Sequence, residues 1–275
     1  MTTPQHLVIV FLSTGRCGTQ SLATHLGEVY SDLAVVAHEP IGPDYRCREF
    51  FRAYDGVHAM SGDPVIAAHL SHIDCVARHR TYVETGWPLF SAIPLFVDRF
   101  GERLRIVHLT RHPVPTAISH MVHKTYAGSP RVDGYTKLAA LDPWCDGIFQ
   151  REARGRWDHM TPFEKTLFWW TEVHLYAEEV AARYPQVPFH RVKAEELLSG
   201  NPEPLRALCG FLQLPFRAVL TERMTRPVDQ WRHRTEMEFD WRRALEHPQT
   251  LAVTERLGYR MKDVDDAALA DRYSR

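Results

Sequence analysis

No stretch of this sequence stays apolar for the roughly 20 residues a helix needs to cross a bilayer. The densest early run, LVIVFL from Leu7 to Leu12, is far too short to span or to serve as a signal core, and no basic segment precedes it. An excess of charge of one sign is also missing: Lys+Arg 33 against Asp+Glu 34 gives a formal net charge of -1. No overall basic field therefore recruits nucleic acid or an anionic membrane, and any anion site has to be local. Cysteine is sparse and unpaired. Cys17, Cys47, Cys75, Cys145 and Cys209 are scattered and odd in number, with no CxxC pair, which argues against a disulfide scaffold and for a reducing compartment. A soluble, cytoplasmic protein is expected. Repeats and low-complexity tracts are absent as well. The 16 histidines do not compose a metal site: His108 and His112 straddle a strand-to-helix junction, and no carboxylate falls at zincin spacing.

What is present is enough apolar material, 44% of 275 residues, to bury one sizeable core. A single domain over 1–275 is the simplest reading. Apolar runs alternate with helical patterns, as in βαβ units. Strands are expected at Leu7–Ser13, Leu33–Ala37, Thr81–Glu84, Arg105–Thr110 and Pro188–Val192. Helices are expected at Thr19–Tyr30, Val65–His79, Pro88–Phe100, Val114–Tyr126, Pro162–Tyr184 and Pro202–Leu212. Short buried strands joined through helices imply a parallel sheet, whose binding crevice lies beyond the strands' carboxyl ends. Between Ala127 and Met160 the pattern lapses for too long to be a passive connection. Its apolar content, including Tyr135, Leu138, Leu141, Trp144, Ile148 and Phe149, points to a lid or acceptor-binding excursion.

The segment STGRCGTQSL, Ser13 to Leu22, sits between the first strand and the first helix. Such a turn directs backbone N–H groups and the positive end of a helix dipole at one point, which suits an anion. A nucleoside-triphosphate P-loop reads GxxxxGK[ST]. Here Gly15 is followed by Arg16, Cys17, Gly18, Thr19 and Gln20, with no lysine after the second glycine. The loop is sized for a single phosphate. A second segment, RIVHLTRHPVPTAISHMVHK, puts Arg111 at a strand end and Ser119 two helical turns on, after a Pro113/Pro115 helix entry. Both can reach one phosphate, the arginine through a fork of N–H donors and the serine through its hydroxyl. Two separate monophosphate grips match a nucleotide with phosphates on both its 5′ and 3′ sides.

With these residues in view, the chain resembles the sulfotransferases that use 3′-phosphoadenosine 5′-phosphosulfate (PAPS). STGRCGTQSL resembles the family's 5′-phosphosulfate loop and LTRHPVPTAISH its 3′-phosphate motif. FEKTLFWWTEVHLYAEEV is similar to the long helix, and FHRVKAEELLSGNPEPLRALCGFLQLPF to the late strand, turn and helix. The likeness runs in ordered pieces from Leu7 to Phe216. It implies an α/β, P-loop NTPase-like three-layer sandwich with a central parallel sheet flanked by helices. It also implies sulfuryl transfer to a hydroxyl, or secondarily an amine, of a small-molecule or carbohydrate acceptor, with adenosine 3′,5′-bisphosphate as product. The cofactor site it implies comprises Gly15, Arg16, Cys17, Gly18, Thr19, Gln20, Ser21, Arg111 and Ser119. Arg16 would steady the leaving phosphate, and no metal is required.

The sequence departs from the cytosolic branch of that family in three places, the first being Arg16 where that branch has lysine. The K-T-H that carries the histidine base there reads Glu84-Thr85-Gly86 here. A glutamate just past the second strand is the base in several bacterial carbohydrate-type and tyrosyl-protein members, and VVAHEP places Glu39 at the matching point. His38 and Glu84 are the alternatives. Neighbours in a strand point to opposite faces, so only one of His38 and Glu39 is expected to face the crevice. The glycine-rich C-terminal segment of the cytosolic branch is not recognisable, which makes Arg232 or Arg234 candidates for the 3′-phosphate. Cys17 reads as a small turn residue, His120 and His123 as packing or solvent-contact residues, and Trp169 and Trp170 as core. Arg151, Arg154 and Arg156 read as a solvated face or an anion contact. Two other classes stay open: a P-loop kinase of a small metabolite, against which the missing glycine-lysine counts, and a nucleotide-binding protein without turnover.

Overall fold

The computed structural model describes residues 6–126, 140–226 and 239–273. Five strands form one sheet: β1 (Val8–Leu12), β2 (Ala34–His38), β3 (Thr81–Thr85), β4 (Leu104–Thr110) and β5 (Phe189–Lys193). Their order is β2-β3-β1-β4-β5, and every pairing is parallel, with Val8 opposite both Tyr82 and Leu104. All five carboxyl ends thus open on one edge. The chain leaves β1 towards β3 and β2, then crosses back to β4 on the other side. The point where the order reverses, where ligands bind in open α/β sheets, is the end of β1.

Both faces of the sheet are covered, which is why β1 reads as a continuous apolar run rather than an alternating one. Val8, Val10 and Leu12 enter one core with α2 (Pro64–Val76), α3 (Ile93–Phe100) and α5 (Pro162–Arg183). Ile9 and Phe11 enter the other, with α1 (Thr19–Val29), α6 (Pro202–Leu212) and the short helix Val219–Met224. A satellite cluster joins α4 (Pro113–Val122) to Phe163 and Leu167 of α5. Val253, Leu257 and Tyr259, from α7 (Pro248–Arg256) and the turn after it, pack on Trp170. The three-layer arrangement expected from the sequence is the one observed.

Strand positions agree with expectation to within a residue or two, and the helices differ for local reasons. Pro88–Phe100 is not one helix: a 3-10 turn over Pro88–Ala92 precedes α3. Pro94 lacks an N–H and crowds the carbonyl four residues back, so α geometry cannot run through it. The helix after Arg111 stops at Val122 because Lys124 and Tyr126 take positive φ. Asp63 starts α2 by accepting from the N–H of Val65 and Ile66.

Of the expected excursion over 127–160, residues 127–139 lie outside the described residues. The remainder is packed into the body. Leu141, Ile148 and Trp157 join the main core, Arg48 donates to the Ala140 carbonyl at 3.1 Å, and Arg52 donates to the Gly147 carbonyl. Glu172 accepts from the Phe149 and Gln150 N–H groups at 2.9 and 2.8 Å. Among the described residues no helix is long and apolar enough to cross a membrane.

Candidate anion-binding and transfer site

The loop after β1 has its carbonyls turned into the protein. Thr14 O accepts from His120 Nε2 at 2.9 Å and from Trp169 Nε1 at 3.1 Å. Gly15 O accepts from the Thr14 hydroxyl and the Cys17 thiol, both at 3.1 Å. Arg16 O accepts from Arg111 Nη1 at 2.7 Å, and Gly18 O from Leu22 N at 3.0 Å. The donors are left over: the N–H groups of Cys17, Gly18, Thr19, Gln20 and Ser21 find no acceptor among the described residues. Helix α1 has Gly18 as its N-cap and no side-chain cap, whereas α2, α5 and α6 are capped by Asp63, Thr161 and Asn201. Uncapped N–H groups at the positive end of a helix dipole are an anion-binding arrangement.

Gly15, Arg16 and Gly18 reach this shape through positive φ values of 75°, 55° and 84°. At Gly15 the requirement is doubled. A Cβ there would lie 2.6 Å from Trp87 Cδ1, so the indole edge and the loop touch only because the position is glycine. Arg16 pays a small strain for its left-handed backbone and extends across the crevice, where its Nε donates to Ser119 Oγ at 3.0 Å, over a separation of 103 residues. Arg111 is held from behind: its carbonyl accepts from Trp170 Nε1 at 3.1 Å. Next to it, Glu195 accepts from His112 N at 2.9 Å and from Tyr259 Oη at 3.0 Å. Residues of the two sequence motifs, expected as separate grips, therefore form one contiguous rim.

The ends of β2 and β3 close the other side. His38 Nε2 lies 3.1 Å from Thr19 Oγ1 and 3.7 Å from Glu39 Oε1. Strand alternation does not separate these neighbours as expected, because Glu39 is already past the strand and adopts φ 48°, which returns its side chain to the side of His38. That turn depends on Gly86: a Cβ at this position would lie 2.5 Å from Glu39 Cγ. Burial lowers the His38 pKa, with the carboxylates of Glu39 and Glu84 opposing it, so the ring is neutral at pH 7. Glu84 is in another place altogether. It is buried, and its oxygens accept from Tyr45 Oη at 2.6 Å, His69 Nε2 at 2.9 Å and Tyr82 Oη at 3.0 Å.

No protein-family model and no curated protein matches this sequence. Solved structures do. The sulfotransferase domain from the curacin biosynthetic pathway aligns with TM-score 0.53 and 14% identity, covering 94% of this chain and 99% of that one. A sulfotransferase from Alicyclobacillus acidocaldarius gives TM-score 0.54 and 16% identity, covering 94% and 98%. The sulfotransferase domain of the Synechococcus PCC 7002 olefin synthase gives 0.50 and 13%, covering 95% and 97%. The chain has the sulfotransferase fold. The alignments span nearly the whole of each chain, so the likeness extends beyond the sheet to the helices that flank it.

Within that fold, several conspicuous residues have structural explanations. Cys17 is buried, and burial pushes its thiol up to about 11, which removes it as a nucleophile at neutral pH. Trp169 and Trp170 are core, as expected, yet their indole N–H groups also hold Thr14 and Arg111. Arg154 Nε donates to the Pro143 carbonyl at 2.7 Å, and Arg156 meets His247 Nδ1 at 3.1 Å. His108 pairs with His174 at 2.8 Å, wholly buried between β4 and α5. Among the described residues no group of three or more His, Cys, Asp or Glu is placed to hold a metal. Arg232 and Arg234 lie outside the described residues. Sequence reasoning missed His120, Trp87, Glu195 and Tyr259. The one available signal was the HP-to-SH stretch after Arg111, where a histidine immediately follows the candidate phosphate serine.

Proposed function

We propose that this protein moves a sulfuryl group from PAPS to a hydroxyl, or less readily an amine, of a small-molecule or carbohydrate acceptor. The reading rests on one observation above all: Arg16, Arg111 and Ser119 meet beside the uncapped start of α1. The donor set fits a nucleotide with two separate phosphates. It offers two guanidinium groups, a row of backbone N–H groups and the hydroxyls of Thr19, Ser21 and Ser119, while Glu195, which accepts from the neighbouring His112 N, is already engaged.

In this reading the N–H groups of Gly18, Thr19 and Gln20 bind the 5′ side together with the Thr19 and Ser21 hydroxyls. Arg111 and Ser119 bind the 3′-phosphate. PAPS, when bound, supplies an activated sulfuryl group whose leaving group is a phosphate. Arg16 neutralises the charge that grows on the leaving oxygen, the kind of preorganised contact that dominates such group transfers. Glu39 takes the acceptor's proton on a carboxylate oxygen. Neutral His38 holds the Thr19 hydroxyl at 3.1 Å through Nε2, while the same atom lies 3.7 Å from the Glu39 carboxylate, beyond hydrogen-bond reach. Glu84, with three donors already on its oxygens, is not available for proton transfer. The acceptor is expected against Gly42–Asp63 and the 127–160 excursion, of which 127–139 lie outside the described residues.

The test is nucleotide binding without Mg²⁺, followed by transfer from labelled PAPS into a metabolite extract. Adenosine 3′,5′-bisphosphate should bind far more tightly than ADP, and label should enter an acceptor. Preference for ADP with Mg²⁺ would favour a kinase. Tight bisphosphate binding without any transfer would leave a nucleotide-binding protein.

A further inference from the structure

We propose that His120 is a positioning residue for the phosphate loop, acting with Trp169 to hold the Thr14 carbonyl away from the anion so that the following N–H groups face it. The inference builds on the proposed function for its consequence in turnover, but the hold itself is a property of this chain alone.

A carbonyl only accepts, so the 2.9 Å contact between Thr14 O and His120 Nε2 requires the proton on Nε2. The other ring nitrogen then accepts, and Thr125 Oγ1 lies 3.5 Å from Nδ1. The second lone pair of the same carbonyl takes Trp169 Nε1 at 3.1 Å. His120 comes from α4 and Trp169 from α5, so two helices that pack on each other through Ile118, Met121 and Leu167 both reach one backbone oxygen. On the far side of the same peptide, Gly15 N donates to Ser13 Oγ at 3.2 Å. The Thr14–Gly15 peptide plane is thereby fixed at both ends, immediately before the three residues at positive φ.

The site needs a neutral donor rather than a cation. Arg16 is close enough to oppose a second positive charge, and burial with Arg16 pushes His120 down to about 3. Histidine supplies an N–H at this depth without adding charge beside the guanidinium. Its neighbour Ser119 receives Arg16 Nε, so consecutive residues of α4 tie down Thr14 and Arg16, on either side of Gly15.

Three variants and one spectrum test this. In ring nitrogen NMR of the parent at pH 7, His120 should be neutral with the proton on Nε2; a proton on Nδ1 would overturn the proposal. His120→Leu keeps the bulk and removes the donor, His120→Gln keeps an N–H donor, and Trp169→Phe removes only the second donor. Hydrogen exchange at the Gly15 and Leu22 amides of the ligand-free protein should quicken tenfold or more in His120→Leu and return to within threefold of the parent in His120→Gln. Affinity for adenosine 3′,5′-bisphosphate should follow the same order, with melting temperatures of the two His120 variants alike. Equal exchange in parent and His120→Leu, or a glutamine variant no better than the leucine one, would refute the hold. Should His120→Leu fail to fold, Trp169→Phe carries the test, with exchange raised at the same two amides expected and unchanged exchange overturning it. If the parent binds no adenosine 3′,5′-bisphosphate while the exchange pattern appears, the proposed function fails and the positioning role stands.

Discussion

At the scale of single residues the proposed chemistry separates into binding and transfer. Arg111→Ala should weaken adenosine 3′,5′-bisphosphate binding by about 2 to 4 kcal/mol, since a charge-assisted fork to a phosphate is lost. AMP, which lacks the 3′-phosphate, should lose less, only through the Arg16 carbonyl that Arg111 no longer holds, and titration calorimetry with the two nucleotides reads the difference. Equal parental affinities for both would remove the 3′ assignment. Glu39→Gln should do the opposite, leaving nucleotide affinity near parental while lowering turnover about a hundred- to ten-thousandfold. His38→Asn retains a polar partner for the Thr19 hydroxyl, so its turnover should stay within about tenfold. A dead His38→Asn beside a near-normal Glu39→Gln would move the base to the histidine.

Among the elements, the loops at strand ends carry the geometry, and the most sensitive is the pair Glu39 and Gly86. Gly86→Ala brings a methyl to 2.5 Å from Glu39 Cγ at a backbone φ of 148°. The carboxylate must therefore move or the β3 end must bend. Turnover should fall tenfold or more with nucleotide affinity nearly intact, because the loop after β1 is untouched; a matched loss of both would mean that the whole crevice has shifted. This contact also marks where sequence reading stops. The run LVIVFL, the Gly15–Gly18 loop and the Arg111–Ser119 spacing were legible because each is local: strand, turn and helix periodicity are written in consecutive residues. The return of Glu39 towards His38 was not, since the space for its side chain is left by Gly86, a glycine arriving from another strand. His120 was passed over for the same reason. Its partner is a backbone carbonyl 106 residues away, and backbone acceptors leave no mark in the sequence. The short segments around 42–62 and after Leu212 escaped as well, being too brief for a 3.6-residue period to register.

On the scale of the whole molecule, burial of neutral histidines sets how the fold responds to acid. His108 and His120 are pushed down to about 3 by burial, and His174, packed on His108, is lowered for the same reason. In the unfolded chain these rings protonate near 6.5, so between that pH and about 3 the unfolded state binds more protons. Their contribution to stability is intact above about pH 6.5 and is lost as the pH falls, at about 1.4 kcal/mol per pH unit for each ring. Glu172 works against this. Burial pushes its carboxyl up to about 7 even though it accepts from Phe149, Gln150 and the Gln150 amide, so the folded state holds a proton that the unfolded chain releases. Its penalty is present above about pH 7 and is relieved as the pH falls towards 4.5. Three rings outweigh one carboxyl, and urea unfolding followed from pH 7.5 to 5 should show stability falling by about 3 kcal/mol per pH unit below 6. Glu172→Gln removes the opposing group and should steepen that loss by about 1.4 kcal/mol per pH unit between 4.5 and 7, whatever its effect at neutral pH. A parent whose stability is flat or rising across this range would mean that the buried rings are protonated in the folded state, and the neutral, Nε2-protonated His120 that holds the phosphate loop would fall with them.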